Sequence, residues 1–260
     1  MGTYYDFPWI IKSRMGIVGG EREKVAALRT GLDNGIRLID TAEVYNSEPI
    51  VAKAIDGFRR EDLFIATKVM FLHLRHGALV KSLQRSLKKL NLEYVDLYQV
   101  HQPSPFVPIG ETMSVMEEMV DRGLVRNIGV SNFSLQRMIE ANAALKKCRL
   151  ASNQMPYHLA DRRVEKEILP YCRREKIVLM AYYPLGHGKL TSSETLSRIG
   201  QKYNKTASQV ALNWLLSQEE VFPIPRASSS VHVTEDAGSV GWRISDEDKA
   251  ELDRAYPPQA

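Results

Sequence analysis

The sequence predicts an α/β protein built as one (β/α)8 (TIM) barrel with a short or truncated first strand. Seven short apolar runs each end in polar residues and are followed by a segment with helical spacing. The runs begin roughly thirty residues apart, which is the repeat of a βα unit. No linker or change of composition divides the 260 residues, so we expect a single barrel domain spanning residues 1–260.

The strands and helices are predicted from these patterns in chain order. Strands are expected at residues 36–40, 63–68, 95–101, 125–131, 151–155, 177–183 and 221–225. Apolar residues spaced by three and four predict helices at 21–34, 47–57, 78–90, 111–122, 134–146, 161–175, 206–218 and 246–254. Ser47 and Ser245 are candidate N-caps.

The eighth strand should precede residue 21, where the sequence offers few residues. We expect the first five residues to form a short strand beside residues 36–40 and 221–225, since a barrel without it leaves two strand edges underpaired. Whether a segment precedes Met1 is left open. A doubly wound sheet is the alternative fold, but "GIVGG" at 16–20 lacks the GxGxxG spacing.

Composition excludes several classes of function. The net charge of +4 comes without a long basic run, so nucleic acid is not an expected partner. Cys148 and Cys172 form no CxxC pair, so neither a disulfide framework nor a metal site is expected. No apolar run approaches the ~18 residues of a membrane span and no secretory signal is found. We expect a cytoplasmic protein, a monomer or weak homo-oligomer, that acts on a small molecule.

Polar residues stand at the carboxyl ends of the predicted strands, where barrels carry their chemistry. In chain order these residues are Asp40, Lys68, His101, Ser131, Asn132, Gln154 and Tyr182. Each has a plain structural explanation, such as a helix cap, an exposed amine or a satisfied core histidine. Together, an acid, an amine, an imidazole and a phenol at one rim favour a catalytic site.

The phenol of Tyr45, five residues after Asp40, suggests what that site does. A phenol has an ordinary pKa of about 10, and an adjacent ammonium would lower this pKa and improve the proton donor. Lys68 could supply the charge, with Asp40 as its counter-ion and His101 orienting a substrate oxygen. Such a donor suits carbonyl reduction, in which a bound cofactor must bring the hydride.

Several segments, in order, resemble the aldo-keto reductase family of nicotinamide-dependent barrels. They are "DTAEVYNSE", "ATKV", "DLYQVHQP", "GLVRNIGVSNFS", "NQMPYH", "AYYPLGHGKL", "ASQVALNWLL" and "FPIPRASSSVHVTEDA". The resemblance covers about residues 2–252. It implies Tyr45 as general acid, Lys68 and Asp40 as the pair that tunes it, and His101 as the residue that orients the substrate.

The resemblance also implies a cofactor site. Ser131, Asn132 and Gln154 would bond the nicotinamide carboxamide, and Tyr182 would stack on the ring. The backbone from Leu185 to Lys189, with Gly186 and Gly188, would wrap the pyrophosphate. The alternative for this segment is a plain turn.

At the adenosine end the resemblance implies that Arg226 and Ser228 grip the 2′-phosphate of NADP. His232 stands where many members have Arg, and Asp236 where they have Asn, so that grip is weakened. NADPH is the expected cofactor, and secondary use of NAD(H) is left open. The alternative for residues 224–236 is a helix start capped by Ser229 or Ser230.

The substrate pocket is expected to be open and apolar. Family members often carry Ser at the place of Tyr183 and a long C-terminal loop that this chain lacks. The residues expected to line the pocket are Tyr4, Trp9, Phe71, His73, Phe106 and Tyr183, which suits aromatic or aliphatic aldehydes. The leading hypothesis is an NADPH-dependent carbonyl reductase. The alternatives are a cofactor-binding regulatory barrel and an aldolase-type barrel with Lys68 as a Schiff-base lysine.

Overall fold

The computed structural model describes residues 1–3, 20–226 and 229–259. In these residues seven parallel strands form one sheet, and each strand pairs with its neighbours in the chain. The strands are β1 (Leu38–Asp40), β2 (Phe64–Val69), β3 (Val95–Val100), β4 (Val125–Ser131), β5 (Leu150–Pro156), β6 (Val178–Tyr182) and β7 (Val221–Pro223). This consecutive order is that of a barrel, because a doubly wound sheet reverses its strand order. The alternative fold is therefore wrong.

The first three residues bridge the two ends of this sheet. The amide of Asp40 donates to the carbonyl of Met1 at 2.8 Å, and that of Thr3 donates to the carbonyl of Asp40 at 2.9 Å. On the other side, the amide of Gly2 donates to the carbonyl of Pro225 at 3.0 Å. The expected pairing is confirmed for Met1–Thr3, which partly close the barrel, while Tyr4 and Tyr5 lie outside the described residues.

Ten α-helices surround the described part of the sheet. They are α1 (Glu21–Asp33), α2 (Glu48–Ile55), α3 (His76–Leu90), α4 (Ile109–Asp121), α5 (Leu135–Ala144), α6 (Ile168–Glu175), α7 (Glu194–Tyr203), α8 (Ala207–Leu216), α9 (Ser230–Ala237) and α10 (Asp246–Ala255). Most of the core lies between these helices and the outer face of the sheet. None of the described helices has both the length and the apolar character that a membrane crossing requires.

Three helix predictions need correction. The helix expected at 161–175 begins only at Ile168, after a separate 3₁₀ turn at Arg163–Glu165. Pro170 explains the late start, because a proline is tolerated in the first turn of a helix but not in its interior. Helix α7 was not predicted, and residues 230–237 were predicted only as a helix start within a cofactor segment; both form full helices, capped by Ser193 and Ser229.

The two predicted serine caps differ in outcome. The hydroxyl of Ser245 accepts a hydrogen bond from the amide of Asp248 at 3.1 Å, so this N-cap is confirmed. Ser47 precedes α2 but makes no side-chain cap bond. Its buried hydroxyl lies 2.9 Å from the hydroxyls of both Thr3 and Thr41. The expectation of a side-chain cap at Ser47 is wrong, because the hydroxyl joins the first residues of the chain to the loop after β1 instead.

The inside of the barrel is partly polar near the carboxyl ends of the strands. Gln99 is fully buried and receives a hydrogen bond from the Ser152 hydroxyl at 3.3 Å. A Cβ at Gly129 would come within 2.3 Å of that hydroxyl oxygen, so β4 needs a glycine there. Below this level a small apolar cluster fills the interior, formed by Ala66, Leu97, Met180 and Ile224.

Candidate active site

Four of the predicted residues meet at the carboxyl ends of β1, β2 and β3. Asp40 ends β1, Lys68 lies one residue before the end of β2, and His101 directly follows β3. Tyr45 ends a 3₁₀ turn, Glu43–Tyr45, in the loop after β1. The Lys68 ammonium lies 5.0 Å from the centroid of the Tyr45 ring, and the Tyr45 Oη lies 3.2 Å from His101 Nε2.

Lys68 and Asp40 form a buried ion pair. The Lys68 Nζ donates to Asp40 Oδ2 at 2.5 Å and to the carbonyl of Thr41 at 2.8 Å. The exposed fractions of the two side chains are 0% and 4%. Burial lowers the pKa of Lys68, and the carboxylate of Asp40 opposes that shift. The amine therefore depends on Asp40 to stay charged.

Two amides hold the second oxygen of Asp40. Gln154 Nε2 donates to Asp40 Oδ1 at 2.9 Å, and Gln99 Nε2 donates to the same oxygen at 3.3 Å. With Lys68 on Oδ2, both carboxylate oxygens are engaged. Hydrogen bonds to a carboxylate favour its charged form, so these amides support the ion pair.

His101 stands against Tyr45 as a neutral imidazole. Burial, and then the charge of Lys68, lower the pKa of His101 to about 3. Its ring meets the Tyr45 ring edge-on, with 5.3 Å between the centroids. Asn132 Nδ2 donates to the backbone carbonyl of His101 at 3.1 Å, which connects β4 to this histidine. At neutral pH the ring can donate or accept a hydrogen bond, according to its tautomer.

The ends of β4, β5 and β6 form a second hydrogen-bonded group. Asn132 has a left-handed backbone with φ 60°, and its Oδ1 accepts from the Tyr182 hydroxyl at 2.9 Å. The Ser131 hydroxyl donates to the carbonyl of Gln154 at 3.0 Å. The structure thus brings Ser131, Asn132, Gln154 and Tyr182 together, although the Gln154 amide donates to Asp40.

A long cavity of about 940 Å³ runs from Tyr45 and His101 across the ends of β4 to β6 towards α9. Among the described residues its lining includes nine of the predicted cofactor-binding positions: Ser131, Asn132, Gln154, Tyr182, Leu185, Gly188, Arg226, His232 and Asp236. Lys189 is exposed, and Gly186 lies beside His158.

The loop after β6 approaches the cavity in a left-handed conformation. The φ values of Tyr183, Gly186, His187 and Gly188 are 52°, 58°, 55° and 87°. Glycine adopts such values without strain, but the other two residues do not. The centroids of the Tyr183 and His187 rings lie 3.8 Å apart, and the planes of the two stacked rings are tilted relative to each other. This contact holds two strained residues at the edge of the cavity.

The far end of the cavity carries opposite charges. Arg226 and His232 line it beside Glu235 and Asp236, while Ser228 lies outside the described residues. Burial, followed by the charge of Glu235, raises the pKa of Asp236 to about 7. His232 Nδ1 lies 3.5 Å from Glu235 Oε2, so a carboxylate faces the imidazole.

Comparison with known proteins identifies the family. The model of the Aldo/keto reductase family matches residues 19–257. The chain belongs to this family. It is 35% identical to the methylglyoxal reductase YeaE of Escherichia coli, in a match covering 98% of this chain and 89% of that protein. It is 32% identical to the glyoxal reductase of Bacillus subtilis, covering 95% of this chain and 88% of that protein.

A solved structure shares the whole fold. The aldo/keto reductase from Klebsiella pneumoniae, crystallised with NADP and acetate, superimposes with a TM-score of 0.88 at 33% identity. The match covers 100% of this chain and 91% of that one. The (β/α)8 architecture of this aldo-keto reductase is therefore established.

The expected substrate-lining residues are only partly brought together in this aldo-keto reductase. Tyr183 lines the cavity and is 39% exposed, and Tyr4 and Trp9 lie outside the described residues. Phe106 is 71% exposed. Phe106, Phe71 and His73 are not in the described lining of the long cavity. His73 instead lies 3.0 Å from Glu43 Oε1, because that carboxylate gives its imidazole a buried partner.

Sequence reasoning missed two polar residues beside the predicted four. Gln99 contacts Asp40 from inside the barrel, and Glu43 begins the turn that carries Tyr45. A lone amide within the apolar run "VDLYQVH" was the available signal for Gln99, since a buried amide needs partners. The sequence position of Glu43, two residues before Tyr45, gave no indication of its contacts.

Proposed function

We propose that this chain reduces aldehydes and ketones to alcohols with NADPH, using Tyr45 as the proton donor. The observation that carries the proposal is the arrangement around Tyr45. Its hydroxyl lies 3.2 Å from a neutral His101, and its ring lies 5.0 Å from the ammonium of the buried Lys68–Asp40 pair. These groups face a cavity large enough for a dinucleotide and a small substrate.

The cavity's donors suit a nicotinamide dinucleotide along its whole length. Amide and hydroxyl groups of Asn132 and Ser131 stand near Tyr45, Gly188 of the loop after β6 also lines the cavity, and Arg226 stands at the far end. We infer that the first group holds the carboxamide, Tyr182 the ring, the glycine backbone the pyrophosphate, and Arg226 the 2′-phosphate. When bound, the cofactor supplies the hydride.

The chain's own residues would manage the proton. As charge develops on the substrate oxygen, Tyr45 donates its hydroxyl proton to that oxygen. The Lys68 ammonium stabilises the phenolate that forms, and Asp40 keeps Lys68 charged. Neutral His101 holds the substrate oxygen by a hydrogen bond near Tyr45 Oη. A Schiff-base role for Lys68 fits poorly, since its ammonium is held by Asp40 and the carbonyl of Thr41.

The adenosine end supports NADPH with NADH as a secondary cofactor. The guanidinium of Arg226 matches a phosphate, while the carboxylate of Glu235 beside His232 opposes additional negative charge. Two relatives are named for methylglyoxal and glyoxal, so small dicarbonyls belong in the substrate class to be tested. We further propose a single domain that works in the cytoplasm as a monomer or weak homo-oligomer.

Replacing Tyr45 by Phe tests the proposed function directly. Removing the proton donor should lower kcat with a small aldehyde by about 100- to 10,000-fold, the usual contribution of general acid catalysis. Fluorescence titration should find NADPH binding unchanged, because the phenol is not among its proposed contacts. Full turnover in this variant would exclude the mechanism, and NADPH binding without turnover of any aldehyde by the wild-type protein would exclude the reductase.

Tyr94→Phe is the matched control for this experiment. Tyr94 directly precedes β3, at the opposite end of the strand from His101, and its ring contacts Arg60. Removal of this hydroxyl should leave kcat at the wild-type value. A similar loss in both variants would point to a general effect on the fold.

A further inference from the structure

The carboxylate of Glu43 joins three segments of the chain beside the proposed proton donor. Its Oε1 accepts from the backbone amide of Met70 at 2.5 Å and lies 3.0 Å from His73 Nδ1. Its Oε2 accepts from the hydroxyl of Ser82 on α3. Arg85 approaches the same oxygen to 4.0 Å. With 11% of its side chain exposed, Glu43 is a nearly buried anion whose partners are all donors.

These contacts connect the turn that carries Tyr45 to the end of β2, where Lys68 lies. Glu43 begins the 3₁₀ turn that ends at Tyr45, and Met70 follows Lys68 by two residues. The bond from Met70 to Glu43 therefore spans directly from the lysine's strand to the tyrosine's turn. A shift of this turn would change the distance between the phenol and the ammonium.

Glu48 makes a second link on the other side of Tyr45. It is fully buried, and its Oε1 accepts from the hydroxyl of Thr67 at 2.9 Å. Thr67 directly precedes Lys68 in β2. The loop after β1 is thus linked to β2 and to the residue that follows β2, by one carboxylate before Tyr45 and one after it.

A second cavity lies beside the turn. It measures about 170 Å³, and its lining includes Glu43, Val44, Met70 and His73. Val44 lines the long cavity as well, so the turn borders both spaces. Because two spaces border the turn, the hydrogen bonds of the Glu43 carboxylate contribute to its position.

We propose that Glu43 is a positioning residue for the reduction, fixing the phenol of Tyr45 relative to Lys68 and His101. The inference rests on the proposed function of Tyr45 as proton donor. Glu43 touches neither substrate nor cofactor in this scheme, and it acts through the turn. Its loss should therefore lower kcat while leaving cofactor affinity unchanged.

Glu43→Gln is the principal test, since it keeps the size of the side chain and replaces one acceptor oxygen by a donor group. The new amino group either faces the amide of Met70, which can only donate, or faces Ser82 and Arg85, where the hydroxyl must become the acceptor and the guanidinium loses its anion. Either arrangement weakens the links that hold the turn. A misplacement of about 1 Å can cost about 100-fold, so we expect kcat to fall by roughly 10- to 100-fold. The NADPH dissociation constant, measured by fluorescence titration, should stay within about twofold.

Ser82→Ala is the second variant, and it tests the same proposal if Glu43→Gln fails to fold. It removes one donor and keeps the bond from Met70, so kcat should fall by about threefold. Glu21→Gln is the matched control, because Glu21 forms an exposed ion pair with Lys53 on α2. Its kcat should equal that of the wild-type protein.

The outcomes separate the two proposals. Wild-type kcat in folded Glu43→Gln, together with an inactive Tyr45→Phe, overturns the positioning role and leaves the proposed function intact. An active Tyr45→Phe overturns the proposed function itself. A purely structural role predicts a lower melting temperature and a normal kcat per folded molecule, and this result would also overturn the positioning role.

Discussion

At the β1–β3 end of the long cavity Asp40 and Lys68 are buried and bonded to each other, whereas at the end formed by β7 and α9 Arg226 and His232 are exposed and Asp236 is buried. The Lys68 side chain is fully buried in its ion pair, while His232 keeps 69% of its side chain exposed. Asp40 accepts from an ammonium and two amides. Arg226 at the far end stands exposed on a loop next to residues 227–228, which lie outside the described part of the chain.

The difference corresponds to the two tasks of the proposed mechanism. Proton donation requires groups fixed to within a fraction of an ångström, and burial in a bonded network supplies that precision. Binding of a long anionic cofactor requires an accessible surface whose charges can be reached from solvent. Substitutions at the first end should therefore change turnover, and those at the second end should change affinity.

The largest effect is expected for Asp40→Asn. The substitution leaves the buried ammonium of Lys68 without its counter-ion, so nothing opposes the lowering of its pKa by burial. We expect kcat to fall by at least about 100-fold. Loss of one partner of a buried pair should also lower the free energy of unfolding by about 3 kcal/mol, measurable by urea denaturation.

Asp246→Asn provides the comparison for that variant. Asp246 lies in the first turn of α10, where it is exposed. Its replacement should leave kcat unchanged and alter the unfolding free energy by less than about 0.5 kcal/mol. Near-normal turnover in Asp40→Asn would mean that the ion pair does not act on Tyr45.

Arg226→Ala should have an intermediate effect, confined to affinity. Loss of a charged hydrogen bond to the 2′-phosphate should raise the NADPH dissociation constant by about tenfold. NADH lacks that phosphate, so its dissociation constant should hardly change, and kcat at saturating NADPH should stay near normal. Arg254→Ala on α10 is a suitable control for a lost exposed charge. Equal weakening for both nucleotides would show that Arg226 does not face the phosphate.

The smallest effect on activity is expected when the pH is lowered from 8 to 5, because His101 should stay neutral over this range. Because its folded-state pKa is about 3 and the ordinary value is 6.5, the unfolded chain binds a proton that the folded chain does not between these values. The contribution of neutral His101 to the free energy of unfolding is therefore complete above pH 6.5 and is lost as the pH falls towards 3.

The imidazole NMR signal of His101, assigned with His101→Asn, should not titrate between pH 8 and 5. A midpoint near 6.5 would mean that the β1–β3 end of the cavity is well hydrated.

The sequence was sufficient to predict the barrel and the meeting of Asp40, Tyr45, Lys68 and His101. Strand periodicity locates the carboxyl ends, and parallel strands bring those ends to one rim. It was not sufficient for Gln154, whose amide donates to Asp40, or for His73, which lies against Glu43. Such partners depend on which donors and acceptors the fold buries together, and spacing along one strand carries no information about that.

The same limit explains the error at Ser47. Ser47 has the position of an N-cap, yet its hydroxyl contacts Thr3, which lies 44 positions earlier in the chain. The error at 161–175 has a local cause, because Pro170 must stand in the first turn of a helix. Local patterns therefore predict a cap or a helix when no distant partner competes and every residue tolerates its position in the helix.

The engagement of both oxygens of Asp40 has a consequence for the path of protons. One oxygen accepts two amides and the other accepts the ammonium, so the carboxylate has little capacity left for a chain of water through the barrel. In the proposed mechanism the phenolate of Tyr45 regains its proton from the cavity side, where the Tyr45 hydroxyl lies 3.2 Å from His101. Turnover measured in heavy water should then depend on solvent viscosity and on the hydration of the cavity mouth. The interior of the barrel would not conduct protons to Tyr45.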